Sequence, residues 1–257
     1  MASHAIDSRV YGANVRSSAS FGDNIVGFLN QCDPVDVTGP KVGDRWMPCR
    51  AQIGVTMQDI FISENVLRES VSDGRENLVQ ECIAQWLRFN KGTGKEHRTP
   101  FFQFVGEFWK SINLDLDGKD RDVPWSAAFI SYCVREVGGY EDFKFAAAHA
   151  RYAHQAIRRK LDGVAGSYWG FKISDHKPEV GDMVCKSRAG SGVTYNFAAD
   201  HDAYKSHCDI VTGISDTHVS TIGGNVSHSV SKTSYQLDNN GFLKSNGKVY
   251  AVLKNMN

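Results

Sequence analysis

Ser126 stands in the run Pro124-Trp125-Ser126-Ala127-Ala128-Phe129. Pro124 suits the first turn of a helix, and the two alanines leave room for a ligand to approach its start. Free backbone N–H groups and the positive end of the helix dipole favour a developing anion there. Ser126, Phe129, Ile130, Cys133, Val134 and Val137 follow helical spacing, so the face carrying the hydroxyl also carries core. In a second run, Ser206-His207-Cys208-Asp209, strand alternation points His207 and Asp209 one way and Cys208 the other. An imidazole on a strand beside a helix start is placed to act as general base toward a hydroxyl. Asn225, in Ile222-Gly223-Gly224-Asn225, or Asp209 on the strand itself, can bond the second ring nitrogen of His207 and fix its tautomer. Together these are the parts of nucleophilic acyl chemistry. Each alone also fits a structural use: a helix-cap serine, a buried histidine, a turn asparagine.

Other polar residues surround this set. Asp182, Lys186 and Arg188 alternate along the run GDMVCKSR, which predicts one face at a cleft edge, with Arg188 able to clamp a carboxylate. A solvated strand face explains the same pattern. Trp125 is placed to touch substrate. His201, Asp202, His207 and Asp209 offer metal-ligating atoms in close sequence, but no tight zinc motif such as H-E-x-x-H occurs, and neither metal nor cofactor is expected. Cys133 lies ~10 Å along the helix from Ser126 among apolar residues, and Cys208 is turned away from His207, so neither reads as a nucleophile. His149 and His154, five residues apart on a helix, point in different directions and read as structural or cleft-wall residues.

These side chains need elements to hold them. Asp73 can cap a helix through GRENLVQECIAQWLRFN, with Leu78, Cys82, Trp86 and Phe89 on one stripe. FFQFVGEFWKSI (101–112) repeats the amphipathic pattern, PWSAAFISYCVREVGG gives a third helix ending at Gly138-Gly139, and a fourth covers Phe145–Leu161. After residue 163 the period shortens. MVCKS, HCDIVTGIS, HVSTIGG and KVYAVLK read as strands, with a long polar loop over Arg188–Lys205. Helices followed by strands predict an α+β fold, helices packed against an antiparallel sheet. Residues 1–70 differ: rich in Gly, Ser, Asn and Asp, and broken by Pro34, Pro40 and Pro48. Their short apolar stretches, Ile25–Leu29 and Val55–Ile62, predict small elements packed onto a larger body. The reading is an N-terminal extension (1–70) and a main domain (71–257).

Composition narrows the function. Among 257 residues, Lys+Arg and Asp+Glu both count 29, so no electrostatic footprint favours nucleic acid or an anionic membrane. No apolar run approaches the ~18 residues of a spanning helix. The N-terminus, MASHAIDSRVYGANVRSSAS, lacks the charged-then-apolar pattern of a secretory signal. The expectation is a soluble protein made in the cytoplasm with reduced, buried thiols. A Cys32–Cys49 bridge stays open for a protein that acts outside that compartment.

In order along the chain, PWSAAFISYCVR, GDMVCKSR, SHCDIV and IGGNV resemble the uncharacterised bacterial family DUF2272. More broadly, residues 75–257 resemble the papain-like cell-wall amidases and peptidases of NlpC and CHAP type. The helix at 75–90 and FVGEFWKSI fit more loosely, and residues 1–70 lie outside the likeness. The resemblance implies a papain-like fold and a peptidoglycan hydrolase, with Ser126 at the place of the nucleophilic cysteine. A thiol with a pKa of about 8.5 ionises easily there, whereas a hydroxyl needs the base to take its proton during attack. Ser126 would attack, His207 would shuttle the proton, and Asn225 or Asp209 would orient the ring. Trp125, Asp182 and Arg188 would bind the peptide stem. Further implied are a route to the wall through a type VI-like secretion system or phage lysis, hence an antibacterial effector or lysin, and an immunity protein that plugs the cleft. Two other classes stay open: a glycopeptide- or protein-binding module using Trp125, Tyr152, Tyr168 and Trp169, and a serine esterase or acyltransferase.

Overall fold

Short runs that alternate apolar and polar residues between glycines and prolines make the first part of the chain β-structure. The computed structural model describes residues 2–188 and 190–257; Ala189, inside the polar loop expected over Arg188–Lys205, lies outside them. Strands β1 (His4–Ile6), β2 (Gly12–Arg16), β3 (Ile25–Asn30), β4 (Pro34–Val37), β5 (Trp46–Ile53), β6 (Thr56–Ser63) and β7 (Leu67–Glu69) form an antiparallel sheet. Its order is β3-β2-β6-β5-β4-β1-β7. Along β5, Cys49 and Ala51 face inward while Arg50 and Gln52 face solvent. β5 turns into β6 through Gly54, whose φ of 62° supplies the positive dihedral this tight hairpin needs. The sheet owns a core of Ile6, Val15, Leu29, Val35, Ile60 and Ile62. These residues therefore build more than the small packed elements expected of them.

The chain divides into two compact units, one ending at Glu76 and the other spanning Asn77–Asn257, so the division falls inside α1 (Asp73–Arg88). The second unit continues with α2 (Phe101–Lys110), α3 (Ser126–Val137), α4 (His149–Asp162), β8 (Tyr168–Phe171), β9 (Met183–Ser187) and α5 (Tyr195–Asp200). It ends with β10 (Ser206–Ile214), β11 (His218–Gly223), β12 (Ser231–Gln236) and β13 (Val249–Asn255). The sheet order is β12-β11-β10-β9-β13-β8, and every pairing is antiparallel. Helices α3 and α4 pack on β10. This is the α+β arrangement expected, with helices laid on an antiparallel sheet.

Three local departures have physical causes. The fourth helix starts at His149 rather than Phe145, because the Ser131 hydroxyl bonds both the N–H and the carbonyl of Ala146, 3.1 Å each, and takes those groups out of a helical ladder. A short helix, α5, interrupts the polar loop, and the Thr194 hydroxyl accepts from Phe197 N–H at its start. Strands β8 and β12 carry little apolar alternation. β8 is fixed by Gly170, where a Cβ would fall 2.5 Å from Ile157. Among the described residues no helix is long and apolar enough to cross a membrane.

Candidate active site

The start of α3 is held from below. Trp125 is buried, stacks on Phe89 at 5.8 Å, packs on Phe108, and donates its indole N–H to Glu96 Oε2 at 2.6 Å. Glu96 also meets His228 Nδ1 at 2.8 Å. The Asn225 amide, oriented by its neighbours, accepts from Trp125 N–H and donates to Glu96, 3.3 Å each. Trp125 is thus a core residue rather than a substrate contact, and Asn225 braces the helix start instead of bonding His207. Above this brace the first intrahelical bond runs from Phe129 N–H to Trp125 O. The N–H groups of Ser126, Ala127 and Ala128 precede it and point out of the helix end.

A second helix start faces the first. His149, first residue of α4, places Nε2 2.7 Å from Ser126 Oγ. The imidazole expected on that hydroxyl was His207; the structure puts His149 there. The other ring nitrogen, Nδ1, accepts the Cys208 backbone N–H at 3.1 Å and also contacts the Tyr152 hydroxyl. A backbone N–H only donates, so Nδ1 holds a lone pair and the neutral ring carries its proton on Nε2. Nε2–H therefore donates to Ser126 Oγ. Burial pushes the pKa of His149 well below its ordinary value, and the neighbouring His207 pushes the same way, so the ring is neutral near pH 7.

Strand β10 is buried along nearly its whole length, yet it carries His207 and Asp209. A buried carboxylate must be paired to stay ionised. Asp209 Oδ1 accepts from His207 Nε2 at 2.6 Å, while Oδ2 accepts from the Tyr235 hydroxyl at 2.6 Å and Lys186 Nζ at 3.3 Å. Burial works against ionisation here. The charge and hydrogen bond of His207, then Lys186 and Tyr235, outweigh it, and the Asp209 carboxyl titrates far below the usual carboxylate range. With Nε2 bonded to Asp209, Nδ1 is the remaining ring nitrogen of His207, an acceptor whenever the ring is neutral. That atom is buried and has no partner. The rings of His207 and His149 lie 5.0 Å apart, centroid to centroid. Gly223 permits this packing, since a Cβ there would stand 1.8 Å from Asp209 Oδ1.

Ser126 and His149 line a cleft of about 400 Å³, together with Trp109, Val123, Pro124 and Ala147. Arg188 and Lys205 line the same cleft, and neither cation makes an ion pair among the described residues. Arg188 thus lies where a cleft residue was expected. Asp182 does not: it is buried on His176 Nε2 (2.8 Å) and the N–H groups of Glu179 and Asn255 (2.9 Å each). Lys186 turns onto Asp209 rather than into this cleft. Tyr152 sits behind His149, and Tyr168 stacks on Tyr140 in the core. The weighed metal set disperses: His201 stacks on Phe197 and Asp202 pairs with Arg151, away from His207 and Asp209. The expectation of buried, reduced thiols holds for four of the six cysteines, and the open Cys32–Cys49 alternative does not form. Cys32, Cys49, Cys82 and Cys133 are buried thiols, and the disulfide joins Cys185 to Cys208 across β9 and β10.

Residues 94–253 match the family model described as "Uncharacterized protein conserved in bacteria (DUF2272)". The chain belongs to the DUF2272 family. The match takes in FVGEFWKSI, PWSAAFISYCVR, GDMVCKSR, SHCDIV and IGGNV, and leaves outside it the helix at 75–90 and the strands of the first unit. No curated protein matches the chain. Among solved structures, NlpC2 from Trichomonas vaginalis is similar over 98% of this chain and 72% of that chain, with 11% sequence identity and a TM-score of 0.32. Sequence reasoning had both parts of the His207–Asp209 pair of this DUF2272 protein. It missed His149, although Ala146-Ala147-Ala148 before it repeats the small residues after Ser126, and Tyr152 follows at helical spacing.

Proposed function

We propose that this protein is a serine hydrolase of amide bonds in acyl donors bearing a free carboxylate, with the peptide stems of peptidoglycan as the substrate class. The observation that supports it most is the His207–Asp209 pair: a buried imidazole aligned by an ionised carboxylate, its ring 5.0 Å from that of His149, which bonds the Ser126 hydroxyl at the wall of an open cleft. Ser126 Oγ attacks the carbonyl carbon, and its proton passes to His207 Nδ1. Contacts of this kind are often long without substrate and tighten in the complex. The carbonyl oxygen gains the negative charge and is held by N–H groups at the start of α3. His207 then returns the proton to the amine as the C–N bond breaks, leaving an ester on Ser126. Water repeats the sequence and frees the acid.

Arg188 and Lys205 supply the carboxylate contact, Arg188 in bidentate fashion. A cleft otherwise lined by Trp109, Val123, Pro124 and Ala147 favours a second reading, hydrolysis or transfer of apolar acyl esters. A bridged Cys185–Cys208 pair suits action in an oxidising compartment, and an inhibitory partner would cover the mouth at Arg188 and Lys205. Mass spectrometry of muropeptides after incubation separates these outcomes. New amine and carboxyl termini, lost in Ser126→Ala, support the amidase; turnover of model esters alone supports the esterase; no product from either contradicts both. Arg188→Gln is expected to raise KM for carboxylate-bearing substrates by about 10- to 100-fold and to leave their neutral amides unchanged.

A further inference from the structure

Cys208 lies directly opposite Cys185 in the β9–β10 ladder, with Cα atoms 4.2 Å apart. That separation marks a non-hydrogen-bonded pair, so the Cys208 N–H points away from β9. The pairing of β10 with β11 begins only at Ile210, opposite Ile222, which leaves that N–H outside the ladder. His149 Nδ1 takes it. One fixed backbone donor therefore dictates where the proton of a buried imidazole resides, and the imidazole in turn donates to Ser126 Oγ.

We propose that His149 is a positioning residue of the acyl-transfer site: its Nε2–H holds the Ser126 oxygen as an acceptor and leaves the hydroxyl proton to be given up to the neighbouring His207, whose ring lies 5.0 Å from that of His149. Two adjacent histidines thus divide the work. One never exchanges a proton with Ser126 and only grips its oxygen; the other takes the proton, because Asp209 claims its far nitrogen. The grip persists as negative charge shifts onto Oγ at the moment of attack, where a hydrogen-bond donor counts most. The division rests on the reading of Ser126 as nucleophile, but the tautomer that underlies it does not.

The test has two arms. Ring-nitrogen NMR of the full-length protein, labelled with 15N-histidine and free of substrate, reads the tautomers directly. His149 is expected with Nε2 protonated and Nδ1 bare, and the same holds for His207. A proton on His149 Nδ1 would overturn the proposal whatever Ser126 does. In the second arm a fluorophosphonate probe labels the wild type, His149→Leu and His149→Gln. Loss of the donor in His149→Leu is expected to slow the maximal labelling rate by about 100-fold with the half-saturating probe concentration little changed. His149→Gln, which keeps an N–H donor, is expected to recover most of it. Equal labelling of all three proteins overturns the positioning role while leaving the nucleophile standing, and so does equal loss in both variants at unaltered melting temperature. Wild-type protein that never labels at Ser126 counts against the hydrolase reading instead.

Discussion

The Asp209 carboxylate is buried and ionised, a state that costs several kcal/mol unless its partners compensate. Three compensate: the His207 ring, the Tyr235 hydroxyl and the Lys186 ammonium. Asp209→Asn keeps the shape and removes the charge that aligns His207, so turnover is expected to fall by about 10³- to 10⁴-fold with circular dichroism unchanged. An activity within tenfold of wild type would exclude Asp209 from the base. His149 carries a pH signature of the same sign in a higher pH window. Its folded pKa is lowered, so below about pH 6.5 the unfolded ring binds a proton that the folded ring refuses. Stability contributed by this group is therefore full above that pH and declines by about 1.4 kcal/mol per pH unit as pH falls. Asp209, depressed, adds its own loss only at more acidic pH, as its folded carboxyl takes up a proton. Urea midpoints between about pH 7 and about pH 5 are expected to drop less steeply for His149→Gln than for wild type. Parallel lines would mean that the ring charges freely. At this scale the sequence showed His207 and Asp209 because strand alternation fixes their common face. His149 was hidden because its partner lies 23 residues away, across a loop whose path no local pattern specifies.

Among the elements, the turn after β11 and the start of α3 meet at Glu96, which ties Trp125, Asn225 and His228 together. Glu96→Ala leaves the buried indole N–H without a partner and is expected to cost about 1–3 kcal/mol, seen as a melting temperature lower by several degrees. A shift under one degree would show that water replaces the carboxylate. Gly223→Ala sets a methyl against Asp209 Oδ1 and His207 Nε2, so activity should fall more than stability. An active alanine variant would mean that the pair can part without consequence. The helices were legible because α1, α2 and α3 keep a 3.6-residue apolar period and α3 stops at Gly138, where φ is 67°. β12 escaped notice because only Tyr235 of its six residues is buried. The role of Asn225 was misplaced for a related reason: its Gly-Gly-Asn context marks a turn, but only the fold shows which helix that turn supports.

Across the whole molecule the charges cancel, 29 against 29, so long-range steering of an anion is weak, and the proposed carboxylate contact would act locally, through Arg188 and Lys205 at the cleft. Raising salt from about 50 to about 500 mM is expected to lower kcat/KM for a carboxylate-bearing substrate by less than tenfold and to bring wild type and Arg188→Gln together. A steep salt dependence that survives Arg188→Gln would place the attraction elsewhere. The first unit, with a core of its own, was underestimated from sequence. Its apolar residues are spread over seven short strands, and no single run reveals that they share one interior. The central claim concerns one oxygen. After incubation with a fluorophosphonate, intact-mass and peptide-mapping spectrometry should find a single adduct on the peptide bearing Ser126, formed rapidly by the wild type and only slowly by His207→Ala. An adduct on another residue, or labelling of Ser126 at the same rate without His207, would contradict the account.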